Sequence, residues 1–349
     1  MKILAIDVGR TAVRAVIFAD ATRGPSVQLD SGATLADPDG PRRVVASVET
    51  VLRAFGKDAT TGLSHVVVAA AGAFARPDHA GALAGELVAR HVASAEVVVT
   101  TDVVAAHAGA LAGQAGVVLA AGTGAVACAI DARGTMTLVD GAGYLIGDAG
   151  SGYAVGRAGL DAAIRHHDGR PGASAGLAPL AEEQFGPLGQ LAGRLQGMPG
   201  HARAVASFAP AVARAARDGD QVALAIWHDA VCELADTALT AAWALPESDR
   251  RIAVTGSLFD LNDLVAEPFL ATVASRDSGV TVRRATGDAV LGASRLAGGP
   301  ASGYESLLLR RPAAGPHSGI REASERATTV PVEQAGQAPA LSRTDSSTY

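Results

Sequence analysis

Lysine is almost missing from this chain: Lys2 and Lys57 are the only two, and every other basic side chain is arginine or histidine. With a formal net charge of −6, this argues against a nucleic-acid partner, because a phosphate backbone is held by clustered Lys and Arg. Alanine and glycine are abundant, so the scarcity of lysine reads as a genome-composition bias. Cysteine is equally scarce. Cys128 and Cys232 lie far apart and outside any CxxC pattern, which excludes a disulfide framework or a zinc site and makes a reducing cytoplasm the expected setting. Long apolar runs without charge are lacking, so no membrane span is expected. Residues 1–18 read as strand–turn–strand around Asp7 and not as a secretory leader. What is present is 349 residues, 48% hydrophobic and 18% charged, enough for two lobes with cores of their own.

The stretch 97–152 organises the rest. Residues 97–101 are apolar and β-branched and read as a buried strand ending at Asp102. A second such run, 117–121, breaks at Gly122-Thr123-Gly124, and a third continues to Ile130. A glycine turn between strands can approach an anion closely and aim backbone N–H groups at it; it can also be an ordinary hairpin. The chain begins with a similar unit: strand 2–6, the turn Asp7-Val8-Gly9-Arg10-Thr11, and strand 13–18. Two strand–turn–strand units point to two related lobes, each giving one turn to a shared cleft. Residues 19–40 are polar and turn-rich. Helical spacing of Val44, Val48, Val51, Leu52 and Phe55 predicts an amphipathic helix over 41–55. A strand over 65–71, a helix over 78–91, a helix over 156–167 and Ala-rich helices over 202–245 follow, with Trp227 and Trp243 assigned to the core. Strands are expected at 250–256 and 280–282, and a last helix at 287–297. After Gly298 the composition is Pro, Ser, Thr, Ala and charge without periodicity, which predicts a disordered tail over 299–349.

The blocks DVGRT, TTDVVAAHAGAL, VVLAAGTGAVA and GYLIGDAGSGYAVGR, followed by AAIRHHDGR, resemble the actin, Hsp70 and sugar-kinase superfamily. Within it they resemble the N-acetylglucosamine kinase branch of the BadF/BadG/BcrA/BcrD ATPase family, over residues 1 to about 297. The resemblance implies an α/β fold of two RNase H-like (actin-like ATPase) lobes around a nucleotide cleft. The lobes would span 1–112 and 113–298, with the helix 287–297 packing back toward the first. It implies an ATP- and Mg2+-dependent kinase acting on the 6-hydroxyl of N-acetylglucosamine or a related amino sugar. Homodimers are common among such proteins, so a homodimer is one implied assembly.

Carried over residue by residue, Asp7 would hold Mg2+ through water and face the phosphates. Gly9 and Thr11, then Gly122, Thr123 and Gly124, would grip ATP, and Gly256 and Ser257 would meet the adenosine. Asp102 would be the general base, since a sugar hydroxyl needs a carboxylate to orient it and take its proton; the same residue also suits a helix N-cap. Asp37, Gly143 and Asp148, with Asp102, would contact the sugar, although Asp37 equally suits a plain Asx-Pro turn. His107 reads as structural or exposed. The chain departs from the family pattern at Val8 and Arg10, which replace glycines, and at Ala142 and Ala149, which replace a Trp and a Glu. Two other readings stay open at this point. One is an ATPase that drives conformational change, for which Cys128 and Cys232 lack the spacing of a shared iron–sulfur site. The other is a sugar-binding or regulatory protein without kinase activity.

Overall fold

The computed structural model describes residues 1–9, 12–30, 33–298 and 303–314. Two sheets carry the fold. The first is built from β1 (Lys2–Val8), β2 (Val13–Ala19), β3 (Thr22–Leu29), β4 (His65–Ala70), β5 (Glu96–Thr100) and a late strand, β11 (Leu309–Arg311), in the order β11-β5-β4-β1-β2-β3. The second holds β6 (Gly116–Ala121), β7 (Ala125–Ile130), β8 (Met136–Asp140), β9 (Arg251–Thr255) and β10 (Thr281–Arg284), in the order β10-β9-β6-β7-β8. Each sheet has an antiparallel hairpin start and parallel strands beside it, β1 with β4 and β6 with β9.

The helices are α1 (Gly40–Thr60), α2 (Pro77–Arg90), α3 (Asp102–Ala110), α4 (Gly152–Asp168), α5 (Leu177–Phe185), α6 (Leu191–Gln196), α7 (His201–Ala206), α8 (Ala209–Arg217), α9 (Gln221–Trp243), α10 (Glu267–Arg276) and α11 (Ala289–Arg295). Strand alternation sorts them into layers. Leu4, Ile6, Val66 and Val68 point to α1 and α2, whereas Ile3, Ala5, Val67 and Val98 point to α3 and α11. In the second sheet Val117, Leu119 and Val254 face the large helical layer that includes α4, α8 and α9. Val118, Cys128 and Ala253 face Val104 and Ala108 of α3 and Leu111 just after it. Helices α3 and α11 are therefore sandwiched between the sheets, with further helices outside each.

The crossing of α3 and α11 is backbone on backbone. A Cβ placed on Gly292 would lie 1.8 Å from the Ala105 carbonyl oxygen, and one on Gly109 would lie 2.1 Å from that of Asp288. Arg295 seals the contact by donating to the Ala108 and Gly109 carbonyls at 3.1 and 2.9 Å, carbonyls that the end of α3 leaves without intrahelical partners.

Three details differ from the sequence-based expectations. The strand β3 lies inside the stretch read as turns; it is an edge strand and mostly exposed, so it lacks a buried, alternating face. Trp243, assigned to the core, is 51% exposed at the end of α9, where its Nε1 donates to Asp277 at 3.0 Å. Residues 303–314 belong to the stretch expected to be disordered but are folded. A helical turn, Glu305–Leu307, leads into β11, which pairs antiparallel with β5. Tyr304 and Leu307 are buried against Cys128, Ile130 and Leu111, and Arg310 reaches Glu96, Glu305 and the Leu296 carbonyl. Two buried side chains and one three-residue strand are too few for a periodic signal. Residues 299–302 and 315–349 of that stretch lie outside the described residues. Among the described residues no helix is long and apolar enough to cross a membrane.

Candidate active site

Strands β1, β4 and β5 run parallel, so the turns at their C-terminal ends lie along one edge of the first sheet. At the first turn the Gly9 N–H donates to the Ala12 carbonyl at 3.0 Å; Arg10 and Thr11 lie outside the described residues. At the second, the Gly122 N–H donates to the Gly124 carbonyl at 2.9 Å. Helix α4 begins beside it: the Gly152 and Tyr153 N–H groups donate to the Gly122 and Thr123 carbonyls at 2.7 and 3.1 Å. The first N–H groups of α4 thus hold the carbonyls of the turn and fix its backbone. Gly256 has φ 100°, and a Cβ there would fall 2.1 Å from the Ala121 carbonyl oxygen, so only glycine lets this segment lie against β6. It brings Ser257 Oγ to within 3.8 Å of where a Gly122 Cβ would sit. Gly122, Thr123, Gly124, Gly256 and Ser257 therefore form one continuous rim.

Asp148 belongs to that rim as well. Its Oδ1 accepts from the Ala125 N–H at 3.2 Å, and both carboxylate oxygens would be 2.9 Å from a Cβ on Gly124. Asp148 itself has φ 60°, a backbone state that Asp tolerates better than most residues. It is held there by Asp140, whose Oδ1 and Oδ2 accept from the Asp148 and Ala149 N–H groups at 2.8 and 2.7 Å. Gly143 lies on the loop between them with φ 84°, and its carbonyl accepts from Gly147 at 2.7 Å. Tyr144 turns inward, its ring tilted against that of Tyr153 with centroids 5.0 Å apart, and hydrogen-bonds His201 at 2.9 Å. The loop tip, Leu145 and Ile146, is exposed.

The carboxylates gather on the first sheet. Asp7 follows Ile3 and Ala5 in alternation and so faces the interlobe side with them. Asp102 is the first residue of α3; the N-cap position falls to Thr101, so the capping alternative does not hold. Its Oδ1 accepts from the Thr101 hydroxyl at 2.7 Å and the Val103 N–H at 3.0 Å, and Oδ2 makes no hydrogen bond among the described residues. Burial first, then the charge of Asp102, pushes the Asp7 carboxyl up to about 6; Asp288 pushes the same way and Arg14 opposes. Asp288 caps α11, accepting from the Leu291 N–H at 2.8 Å, and pairs with Arg23 at 3.0 Å. Asp37 sits on the loop before α1 and pairs with Arg43 at 3.1 Å. That loop docks on β4, where the Leu35 N–H donates to the Ala71 carbonyl at 2.8 Å. His107 is fully buried between the Tyr304 hydroxyl and the Gly116 carbonyl, at 2.7 and 2.8 Å, and is structural.

Asp140, Asp288 and Arg14 were not singled out from the sequence. A signal existed for each: Asp140 ends an apolar run before Gly141, Asp288 precedes the last helix where an N-cap belongs, and Arg14 is the residue a tight hairpin pairs with Asp7.

Raising the Asp7 carboxyl has a sign that can be tested. A folded-state value of about 6 against 3.8 means that the folded protein holds more protons than the unfolded one in that window. Stability therefore falls as pH rises from about 4 to about 6, by up to about 3 kcal/mol. Asp7→Asn is expected to lose this dependence, melting several degrees above the wild type at pH 8 and close to it at pH 4. Thermal melts at both pH values check this; the same offset at each would refute it.

A sequence model of the BadF/BadG/BcrA/BcrD ATPase family matches residues 4–304. A search of curated protein sequences returned no significant match. Among solved structures, a candidate N-acetylglucosamine kinase from Chromobacterium violaceum superposes with a TM-score of 0.64 at 22% identity, covering 85% of this chain and 99% of its own. A second, from Porphyromonas gingivalis, gives 0.64 at 19% identity, with coverages of 83% and 98%. A ROK family glucokinase from Streptomyces griseus, solved with glucose and AMPPNP, gives 0.54 at 17%, with coverages of 85% and 99%. At such identities the likeness speaks for the fold. With two sheets joined through α3 and α11, a glycine turn in the leading hairpin of each sheet and a family match over nearly all of its folded length, this chain belongs to the BadF/BadG/BcrA/BcrD ATPase family and has its two-lobed, actin-like architecture.

Proposed function

We propose that the protein is an ATP-dependent kinase that phosphorylates the 6-hydroxyl of N-acetylglucosamine or a related amino sugar, with Asp102 as general base. The observation that carries this reading is the meeting of Asp7 and Asp102 on the interlobe side, with one Asp102 oxygen unengaged among the described residues. A base must reach the hydroxyl whose proton it takes, and Oδ2 is available for that while Thr101 and Val103 fix Oδ1. The family and the two relatives described as N-acetylglucosamine kinases support the substrate class.

In this reading the first turn (Gly9, Thr11) and the second turn (Gly122, Thr123, Gly124) grip the phosphates, and Gly256 and Ser257 meet the adenosine. Asp37, Gly143 and Asp148 border the sugar; Asp148 also holds the second turn through Ala125. Among the described residues no group of three His, Cys, Asp or Glu side chains could hold a metal ion by itself. Mg2+ still fits, because it takes one or two carboxylates and completes its shell with water and substrate phosphates. A half-buried Asp7 crowded by Asp102 and Asp288 is a carboxylate that gains from a cation. Bound there, Mg2+ would offset phosphate charge. Closure of the lobes on the sugar would keep water from Asp102.

Purified protein with ATP and Mg2+ is expected to release ADP in the presence of one sugar from a panel of N-acetylglucosamine, glucosamine, N-acetylmuramic acid, N-acetylmannosamine and glucose, and to release little without sugar. Sugar-independent release would replace this reading with that of an ATPase.

A further inference from the structure

Arg14 is a cation that neither glycine turn accounts for. It lies on β2 directly across from Asp7 in the antiparallel register. Its neighbours Val13 and Ala15 point to α1 and α2, while Val16 and Phe18 point to α3 and α11, so Arg14 projects on the same face as Asp7. Facing residues on such a rung have Cβ atoms roughly 5 Å apart, and an arginine stem is long enough to carry its guanidinium past the carboxylate toward the turn. Of the groups that act on the Asp7 carboxyl, Arg14 is the one that favours its charged form.

Among the described residues the other cations nearby are committed. Arg23 is paired with Asp288 and Arg43 with Asp37. Lys2 points away, donating to the Thr61 carbonyl, and Lys57 is in the last turn of α1. Arg14 is exposed and makes no hydrogen bond or ion pair among the described residues. The face it shares with Asp7 is bounded by Asp102 and Asp288. Three carboxylates repel a polyphosphate, so a fixed cation close to the reacting end would add to the charge that a bound Mg2+ offsets. Arginine suits that task because its planar fork donates to two phosphate oxygens at once.

We propose that Arg14 binds the terminal phosphoryl group of the nucleotide and stabilises its charge during transfer. The inference rests on the kinase reading for the chemical step but not for binding. In that step the bond between the γ-phosphorus and the β–γ bridging oxygen breaks, and its electron pair leaves on ADP. The sugar oxygen bonds to phosphorus, and the hydroxyl proton passes to Asp102. Arg14 N–H groups donate to the γ-phosphoryl oxygens throughout and exchange no proton.

The experiment compares wild type with Arg14→Gln and Arg14→Lys. Because Arg14 is exposed, both should melt within a few degrees of wild type. Titration with AMPPNP and with ADP comes first. Wild type is expected to prefer the triphosphate, and Arg14→Gln to weaken AMPPNP by about tenfold while leaving ADP within about twofold, the loss of a charge-assisted contact made only to the third phosphate. Equal weakening of both, or no preference in wild type, overturns the proposal whatever the enzyme phosphorylates. With the sugar found in the panel, kcat of Arg14→Gln should fall roughly 10²–10³-fold with sugar KM little changed, and Arg14→Lys should recover only part of it. A kcat within threefold of wild type overturns the catalytic part. Absence of turnover in wild type, with the AMPPNP preference present and lost in Arg14→Gln, would instead overturn the kinase reading and leave the phosphate contact standing.

Discussion

Asp102→Asn is expected to cut sugar phosphorylation by about 10²–10⁴-fold while leaving AMPPNP affinity within about twofold. The substitution is nearly isosteric, and an amide oxygen can still accept from the Thr101 hydroxyl and the Val103 N–H, which now hold Oδ1 at 2.7 and 3.0 Å. The start of α3 is therefore preserved. What is lost is basicity at the second oxygen. A further consequence separates this variant from one that merely loosens the site. The Asp102 charge helps to push the Asp7 carboxyl up, so its removal lets Asp7 ionise at lower pH. The pH dependence of stability assigned to Asp7 should then move toward acid in Asp102→Asn. Coupled ADP-release assays and melts across pH measure the two effects. Transfer within tenfold of wild type would remove Asp102 from the role of base.

The largest expected effect on stability is that of Gly292→Ala. The added Cβ would meet the Ala105 carbonyl oxygen at 1.8 Å and the Gly109 nitrogen at 2.5 Å. Both are backbone atoms of α3, so no side chain can rotate aside. The helices would have to separate, and α3 is also clamped from the other side by Val118, Cys128 and Ala253. Overpacking of this kind costs roughly 3 kcal/mol or more, which for a chain of this size lowers the melting temperature by at least roughly 5 °C. Activity should fall further than stability alone requires, because α3 carries Asp102 at its start and Asp288 caps α11. Gly81→Ala on α2 is the control: a Cβ there meets nothing within 4 Å, and replacing a helix-interior glycine should stabilise by about 0.5–1 kcal/mol. If Gly292→Ala melts within 2 °C of wild type, the tight crossing is not what joins the lobes.

The two glycine turns were legible because each is local. A β-branched run, a break at glycine and a second apolar run define a hairpin within about a dozen residues, and β1–β2 and β6–β7 form there. Asp102 was legible for the same reason, as the acid between a strand and a helix. The edge strand β3, the segment 303–314 and the outward turn of Trp243 were not, because each depends on what the chain packs against and not on its own period. Asp148 was found as a residue of the glycine-rich block, but its contact with the second turn and the grip of Asp140 on its backbone appear only when the loop is closed.

The sequence alone, then, determined the strand–turn–strand units, the acids at strand ends and, through the blocks that resemble a family, the two-lobed architecture, since these are written in spacings of a few residues. The tertiary structure decided which acids meet. Asp7 and Asp288 stand 281 positions apart and approach because small residues let α11 lie on α3 beneath the first sheet. Arg14 faces Asp7 because the hairpin register sets it there. Charge interactions of this kind act through space over a few ångströms, and spacing along the chain carries no record of them until the helices and sheets have packed.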